Sequence, residues 1–380
     1  MINRDFVPIT LFMAAVMLAF VSQIQLMLFA GAGLCAVYAY AASDDRGLSN
    51  NKLLLVLFSF ILFLPAFVNF NHGLSPLFYL LSTVSAFFAA MAASSKPPIV
   101  LLKAFSSLYF AAVVAIVWIL FKYWGYPEPF GMVIEGSSTN GIPVYFIVLQ
   151  LSLSLATYLT YGRLPVLSTV LTFAVAFFGN GRSSLVVAGL IILATLILNV
   201  IVVKRKKSKL PWLYWSLLTL VIFIGVVWGD ELLGLITVYT KLSAGLVDSN
   251  RLDILHQYSQ KINVFTLFFG ADYSGTVIEN EYLGNPHIAY IRTHSLFGLP
   301  ATILAIISPT LILLPQKVWK TKLVFFIFIS LAALRSISEP VFFPTLLDFF
   351  YFTWFLMYFK HAAPSRTGNS RSAQSVINNV

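Results

Sequence analysis

Charge is scarce in this sequence: 10% of its 380 residues are Asp, Glu, Lys or Arg, and only 14 of them are acidic. A soluble globular domain carries about 25% charged residues, so a water-soluble fold is excluded. Disorder needs high charge with low hydrophobicity, and that is excluded as well. Cysteine is almost absent. The single Cys35 rules out an intrachain disulfide and any thiolate-based metal site, and it reads as a small apolar helix residue. No internal repeat is visible, and no convincing small-residue cleavage site follows the first apolar run, so no cleavable signal is expected.

What is present is apolar surface. Of the residues, 59% are hydrophobic. A hydrocarbon core of about 30 Å takes about 20 apolar residues per helical span, which leaves material for about 10 to 12 spans. The expected class is an all-α polytopic membrane protein. Apolar runs between polar breaks place twelve helices at roughly 6–21, 25–42, 52–70, 77–94, 99–120, 141–160, 165–179, 184–203, 211–228, 294–314, 322–338 and 344–360. Residues 1–360 read as one transmembrane domain that includes a long loop, 229–293, between the ninth and tenth helices, and 361–380 as a disordered cytoplasmic tail.

The net charge of +10 is unevenly placed. When the run Lys204, Arg205, Lys206, Lys207, Lys209 is set in the cytoplasm and the spans alternate, 17 of the 24 basic residues fall inside and only 3 of the 14 acids do. One topology satisfies every short basic loop. It puts both termini in the cytoplasm. The basic cluster is a topology signal, and nothing in the chain calls for nucleic acid.

Polar chemistry is therefore expected on the outer face. A loop at 121–140 and the loop of about 65 residues at 229–293 lie there. Loops above about 15 residues are usually functional or disordered, and the second is too aromatic for disorder. It reads as a folded cap with short helices, one near 249–262. Outside basic residues need a reason under the positive-inside rule. Arg182 sits at an outer mouth in FFGNGRSSL, and Arg335 near the end of a span in ALRSISEP. Arg335 has Glu339 at i+4 as a structural partner, Arg182 has the option of snorkelling, and Arg251 and Arg292 that of a solvated helix face. The alternative for all four is phosphate, which the planar guanidinium binds bidentately. Arginines around an outer-leaflet cavity point to a phosphorylated lipid.

Three segments carry a resemblance. They are FFGNGRSSLVVAGL (Phe177–Leu190), NRLDILHQYSQKINVFTLFFGAD (Asn250–Asp272) and HIAYIRTHSLFGLPATIL (His287–Leu304). Together they resemble the bacterial O-antigen polymerase and O-antigen ligase superfamily of membrane glycosyltransferases. Arg182 takes the place of the family's Arg at the outer mouth of a span. Arg251 and Gly270 match the ends of its loop helix, and His287 and Gly298 its His-to-Gly spacing. Ile288 stands where the ligase pattern often has Asn, which favours polymerase over ligase.

The resemblance implies a GT-C-like fold in a bacterial inner membrane. The implied reaction moves a growing glycan from undecaprenyl diphosphate onto a hydroxyl of a new lipid-linked repeat unit. A chain-length regulator protein is the implied partner, beside the lipid bilayer. The diphosphate needs charge stabilisation, for which Arg182, Arg251, Arg292 and Arg335 are the candidates. The acceptor hydroxyl needs a base. His287 is the first candidate, His294 the alternative if the segment is helical, and Glu281 or Glu279 the fallback. No metal and no cofactor are required: Asp44–Asp45 is a poor substitute for an Asp-x-Asp motif, and His256, His287 and His294 lack ligand spacing. The competing readings are an O-antigen ligase and a lipid-linked oligosaccharide flippase or transporter. A transporter is expected to carry charge at mid-membrane, where this sequence has almost none.

Overall fold

The structure is a computed structural model that describes residues 6–22, 24–41, 64–68, 73–126, 128–133, 141–202, 210–231, 234 and 249–361. The described residues are helical, with no strand among them. In chain order the helices are α1 (Phe6–Ser22), α2 (Gln25–Ala41), α3 (Pro65–Val68), α4 (Ser75–Ser94), α5 (Pro98–Lys122), α6 (Gly141–Tyr161), α7 (Val166–Phe178), α8 (Arg182–Val202) and α9 (Leu210–Val227). There follow α10 (Ser249–Gln260), α11 (Val264–Phe269), α12 (Val277–Asn280), α13 (Ala289–Ile307), α14 (Trp319–Arg335) and α15 (Asp348–His361). Among the described residues five stretches are long and apolar enough to cross a membrane: α4, α5, α6, α8 and Ala289–Leu313, in which α13 runs into a 3-10 turn. The chain is thus built as a polytopic membrane protein. Most of the span expected at 52–70, the basic run 204–209 and the tail after His361 lie outside the described residues.

The long helices are apolar all round, as helices in hydrocarbon must be. Their contacts to one another come from aromatic packing and a few hydrogen bonds. Trp354, Tyr351, Phe349 and Phe350 of α15, Phe105 of α5, and Phe325 and Phe328 of α14 are fully buried. The central α6 adds polar ties across helices. Trp354 Nε1 donates to Ser152 Oγ at 2.9 Å. Thr172 of α7 donates to Gln150 Oε1 at 3.3 Å, and the hydroxyls of Tyr109 and Thr172 lie 2.9 Å apart. Such bonds contribute about 0.6 kcal/mol each inside membranes.

Cations gather at one end of the bundle. Lys360 Nζ donates to Met91 O at 2.8 Å, Lys320 Nζ to Ile201 O at 2.7 Å, and His361 Nε2 lies 2.7 Å from Ser94 O. These carbonyls close the last turns of α4 and α8, where unpaired acceptors and the negative end of the helix dipole favour cations. The opposite end collects the starts of α8, α13 and α15 and the close of α14.

At that opposite end α13 begins at Ala289, five residues before the span expected at 294–314. It is also broken, because Gly298 (φ 70°, ψ −169°) is not helical and Pro300 follows. The break is filled by α11. This short helix opens on a capping box, in which Asn263 Oδ1 accepts from Thr266 N at 2.9 Å and Thr266 Oγ1 from Asn263 N at 2.8 Å. It closes on Gly270, whose φ is 94°. The two glycines interlock. A Cβ on Gly298 would overlap the Phe268 carbonyl, and one on Gly270 would overlap the carbonyls of His294 and Ser295. His294 Nε2 reaches Leu267 O at 3.0 Å, Ser295 Oγ donates to Ala271 O at 2.7 Å, and Thr302 Oγ1 donates to the Gly298 carbonyl at 2.8 Å.

Gly298→Ala is expected to cost about 1–3 kcal/mol for the glycine-only backbone and about 1–3 kcal/mol more for the overlap. Gly33 in α2 meets nothing within 4 Å, so Gly33→Ala should be neutral or stabilise by up to about 1 kcal/mol. Thermal unfolding in detergent reads both; equal melting temperatures would refute the interlock.

Candidate functional site

The site assembles where α13 starts and α14 ends. Ala289 N donates to Ser336 O at 3.0 Å, and Tyr290 Oη to Ala333 O at 2.9 Å. These bonds fix the segment around His287 against the chain that leaves α14. Arg335 closes α14 and is 1% exposed. Its guanidinium donates to Ser338 Oγ at 2.8 Å and to Ser184 Oγ, in the first turn of α8, at 3.1 Å. Its buried Nε has no hydrogen-bond partner.

Glu339 lies at the centre. Its Oε1 is 3.9 Å from an Arg251 guanidinium nitrogen and its Oε2 is 3.9 Å from His287 Nδ1. Both are ion-pair distances, longer than hydrogen bonds. Burial alone would raise the Glu339 pKa, but His287, Arg335 and Arg251 together outweigh it and hold the carboxyl below its ordinary range. Glu339 is therefore an anion facing three basic groups. His287 has φ 53°, a left-handed backbone that His adopts more readily than most residues. Its N–H donates to Asn285 Oδ1 at 3.1 Å, and its ring stands edge-on to Tyr282 at 5.0 Å. Among the described residues Nε2 of His287 has no hydrogen-bond partner.

Of the residues singled out in the sequence, His287, Arg251 and Arg335 meet here. Arg182 opens α8 two residues before Ser184, so its helix end joins the site through that serine. Arg292 does not join the cluster: its guanidinium lies 5.7 Å over the ring of Tyr79 of α4. Glu281 is exposed, and Glu279, also exposed, accepts from Gly275 N at 2.8 Å and braces a turn. His256 is exposed on α10.

His294 is engaged at both ring nitrogens. Nε2 faces the Leu267 carbonyl at 3.0 Å, so it carries the proton, and Nδ1 at 2.7 Å then accepts from Tyr258 Oη. Burial holds the Tyr258 phenol above its ordinary pKa, so it stays a donor. Neither nitrogen of His294 is left for a substrate. The seven-residue spacing to His287 does not place the two on one helical face, because α13 begins after His287.

Arg335 and Glu339 attract each other as the i+4 spacing suggested, but the hydrogen bonds of Arg335 go to Ser338 and Ser184. The helix stops at Arg335, so the spacing that would align the pair is gone. Sequence reasoning had Glu339 only as that partner and missed it as the hub. The available signal was its rarity, an acid between two apolar runs in a chain with 14 acids. Among the described residues no three His, Cys, Asp or Glu side chains are grouped to hold a metal ion.

Two outcomes follow from this geometry. Tyr258→Phe should cost about 1–3 kcal/mol, since His294 Nδ1 then lies buried without a donor; an unchanged melting temperature would refute the tautomer. Glu339 has a depressed folded pKa, so its stabilising contribution is present above the ordinary carboxylate pKa and lost as pH falls through the folded value. The melting temperature of wild type should exceed that of Glu339→Gln at neutral pH, and the gap should close on acidification. A gap that persists in acid would remove the ion-pair account.

No protein-family model, no curated protein and no solved structure matches this chain.

Proposed function

We propose that this chain is a membrane glycosyltransferase that extends a bacterial surface polysaccharide. It would transfer the growing glycan from undecaprenyl diphosphate to a hydroxyl of the next lipid-linked repeat unit. It would act at the periplasmic face of the inner membrane, with the lysine-rich end of the bundle and both termini in the cytoplasm. One observation carries the proposal: two of the segments that resemble the O-antigen polymerase and ligase superfamily bring Arg251 and His287 to Glu339, and the third reaches the neighbouring Arg335 through Ser184.

The chemistry follows from the groups present. The acceptor hydroxyl attacks the anomeric carbon of the donor, and the bond from that carbon to the diphosphate oxygen breaks. The proton goes to His287 Nε2, whose ring is backed at Nδ1 by the Glu339 carboxylate. A carboxylate on the far side of an imidazole orients it and stabilises the imidazolium that forms. The departing diphosphate takes up the bonding electrons and needs positive charge more than a proton. Arg251 supplies it, with the buried charge of Arg335 behind it and Arg182 at the edge. Glu339 also separates the arginines' mutual repulsion before substrate arrives. A chain-length regulator fits as a partner of this reaction.

His287→Ala should lower chain extension by about 100-fold to 10,000-fold, the usual contribution of a general base, at normal protein levels. His294→Ala should instead lower the amount of folded protein. Arg335→Lys should lose most activity, because a point charge cannot hold Ser338 and Ser184 together as the planar fork does. The decisive measurement is the surface-glycan banding of a deletion strain beside its lipid-linked intermediates. A core with one repeat unit and no ladder supports the proposal. Loss of all attached glycan with long lipid-linked polymer would replace it with a ligase, and single units trapped on the inner leaflet with a flippase.

A further inference from the structure

A cavity of about 590 Å³ lies between α4, α13 and α15, within the roughly 300–1,000 Å³ typical of small-molecule sites. Its walls are apolar, with Phe87, Phe297, Leu304, Phe352 and Phe355 among them. Most of the polar groups it meets are already used. Ser308 Oγ and Tyr351 Oη lie 2.7 Å apart, Thr293 Oγ1 donates to Phe343 O at 2.7 Å, and Asp348 accepts from Phe343 N at 2.8 Å and Thr345 N at 3.0 Å. Thr83 Oγ1 on the same wall is buried and has no partner among the described residues, a single hydroxyl against a wall that is otherwise apolar. The cavity is also long: on α15 it runs from Asp348 to Phe359, roughly 16 Å at 1.5 Å per residue.

Beside the Asp348 end stands Arg292, next in sequence to the wall residue Thr293. Its guanidinium carbon lies 5.7 Å from the centre of the Tyr79 ring, a cation–π distance. Among the described residues no carboxylate lies within ion-pair distance of it and no acceptor takes its N–H groups. A contact of this kind takes none of the N–H donors, which leaves the fork for phosphate. We propose that this cavity binds one hydrocarbon tail of a polyprenyl phosphate lipid, with Arg292 meeting the phosphate. The inference rests on the proposed lipid-linked substrate and gives its tail a place. It also separates Arg292 from the Glu339 cluster.

The test uses the purified full-length protein in detergent and a polyprenyl phosphate carrying a photoactivatable diazirine in its tail. Labelled peptides are expected from α4, α13 and α15. Unlabelled polyprenyl phosphate should compete, while inorganic phosphate and an uncharged polyprenol should not. Ala305→Phe, which fills the cavity, should cut labelling at least about tenfold, and Arg292→Gln should raise the competing concentration needed about tenfold. If Ala305→Phe fails to fold, Leu304→Trp carries the same arm. Label spread over the outward faces of α5 and α9, label indifferent to a folded cavity variant, or equal competition by inorganic phosphate would each overturn the inference. Labelling is read without glycan synthesis. Loss of cavity label with intact His287-dependent extension therefore removes this inference alone, and cavity label in a chain whose deletion leaves the glycan ladder intact removes the glycosyltransferase proposal alone.

Discussion

A helix broken inside a membrane must find partners for the backbone groups it frees, since hydrocarbon supplies none. In this chain the break at Gly298 is met by the carbonyl end of α11, and the approach is close enough that neither Gly298 nor Gly270 has room for a side chain. The remaining features of this end of the bundle hang on that contact. It sets where the first half of α13 points, it consumes both nitrogens of His294, and it holds the segment from α10 to α12 against the bundle through Tyr258 and Ser295. A glycine at each side of one crossing, with small polar side chains closing the gaps, is how irregular backbone is kept satisfied where water is scarce.

The second constraint is electrostatic. Arg335 is buried at the end of a membrane helix, and Arg251 approaches from the loop side. Two cations in a poorly solvated place repel unless an anion lies between them. Glu339 is that anion, at 3.9 Å from both Arg251 and His287. The arrangement holds a net positive charge balanced in part by one carboxylate, and Arg335 Nε stays buried without a partner among the described residues.

Much of the bundle was legible because helices in hydrocarbon are apolar throughout and end at polar punctuation. The expected spans at 99–120, 141–160 and 165–179 differ by at most two residues at either edge from α5, α6 and α7. The expected loop helix near 249–262 corresponds to α10. The errors have one cause. Tyr290, Arg292 and Thr293 read as loop because they are polar, yet Tyr290 and Thr293 find partners on neighbouring elements and Arg292 lies over the Tyr79 ring, so they fold as helix. The Arg335–Glu339 pairing assumed a helix that continues, and its end is set by contacts to Ser184 and Ser338 that no spacing reveals. Gly270 and Gly298 stood out as motif ends, but that each makes room for the other's carbonyls is a fact of two segments in contact. Single-sequence patterns carry period and punctuation; they do not carry who meets whom.

The broken helix also explains how charge and an apolar cavity share one element. His287 precedes α13 and joins the Glu339 cluster, while Thr293 and Phe297 before the break and Ala301, Leu304 and Ala305 after it line the cavity. From Ala289, where α13 starts, to Thr293 is four residues, about 6 Å at helical rise. The bonds from Ala289 N to Ser336 O and from Tyr290 Oη to Ala333 O hold that short piece in place. An intact helix through residue 298 would need no α11 beneath it, and the segment carrying Arg251 would lose its anchor. The Glu339 cluster and the apolar chamber are therefore joined by one short helical piece, packed on the α11 that the break at Gly298 admits.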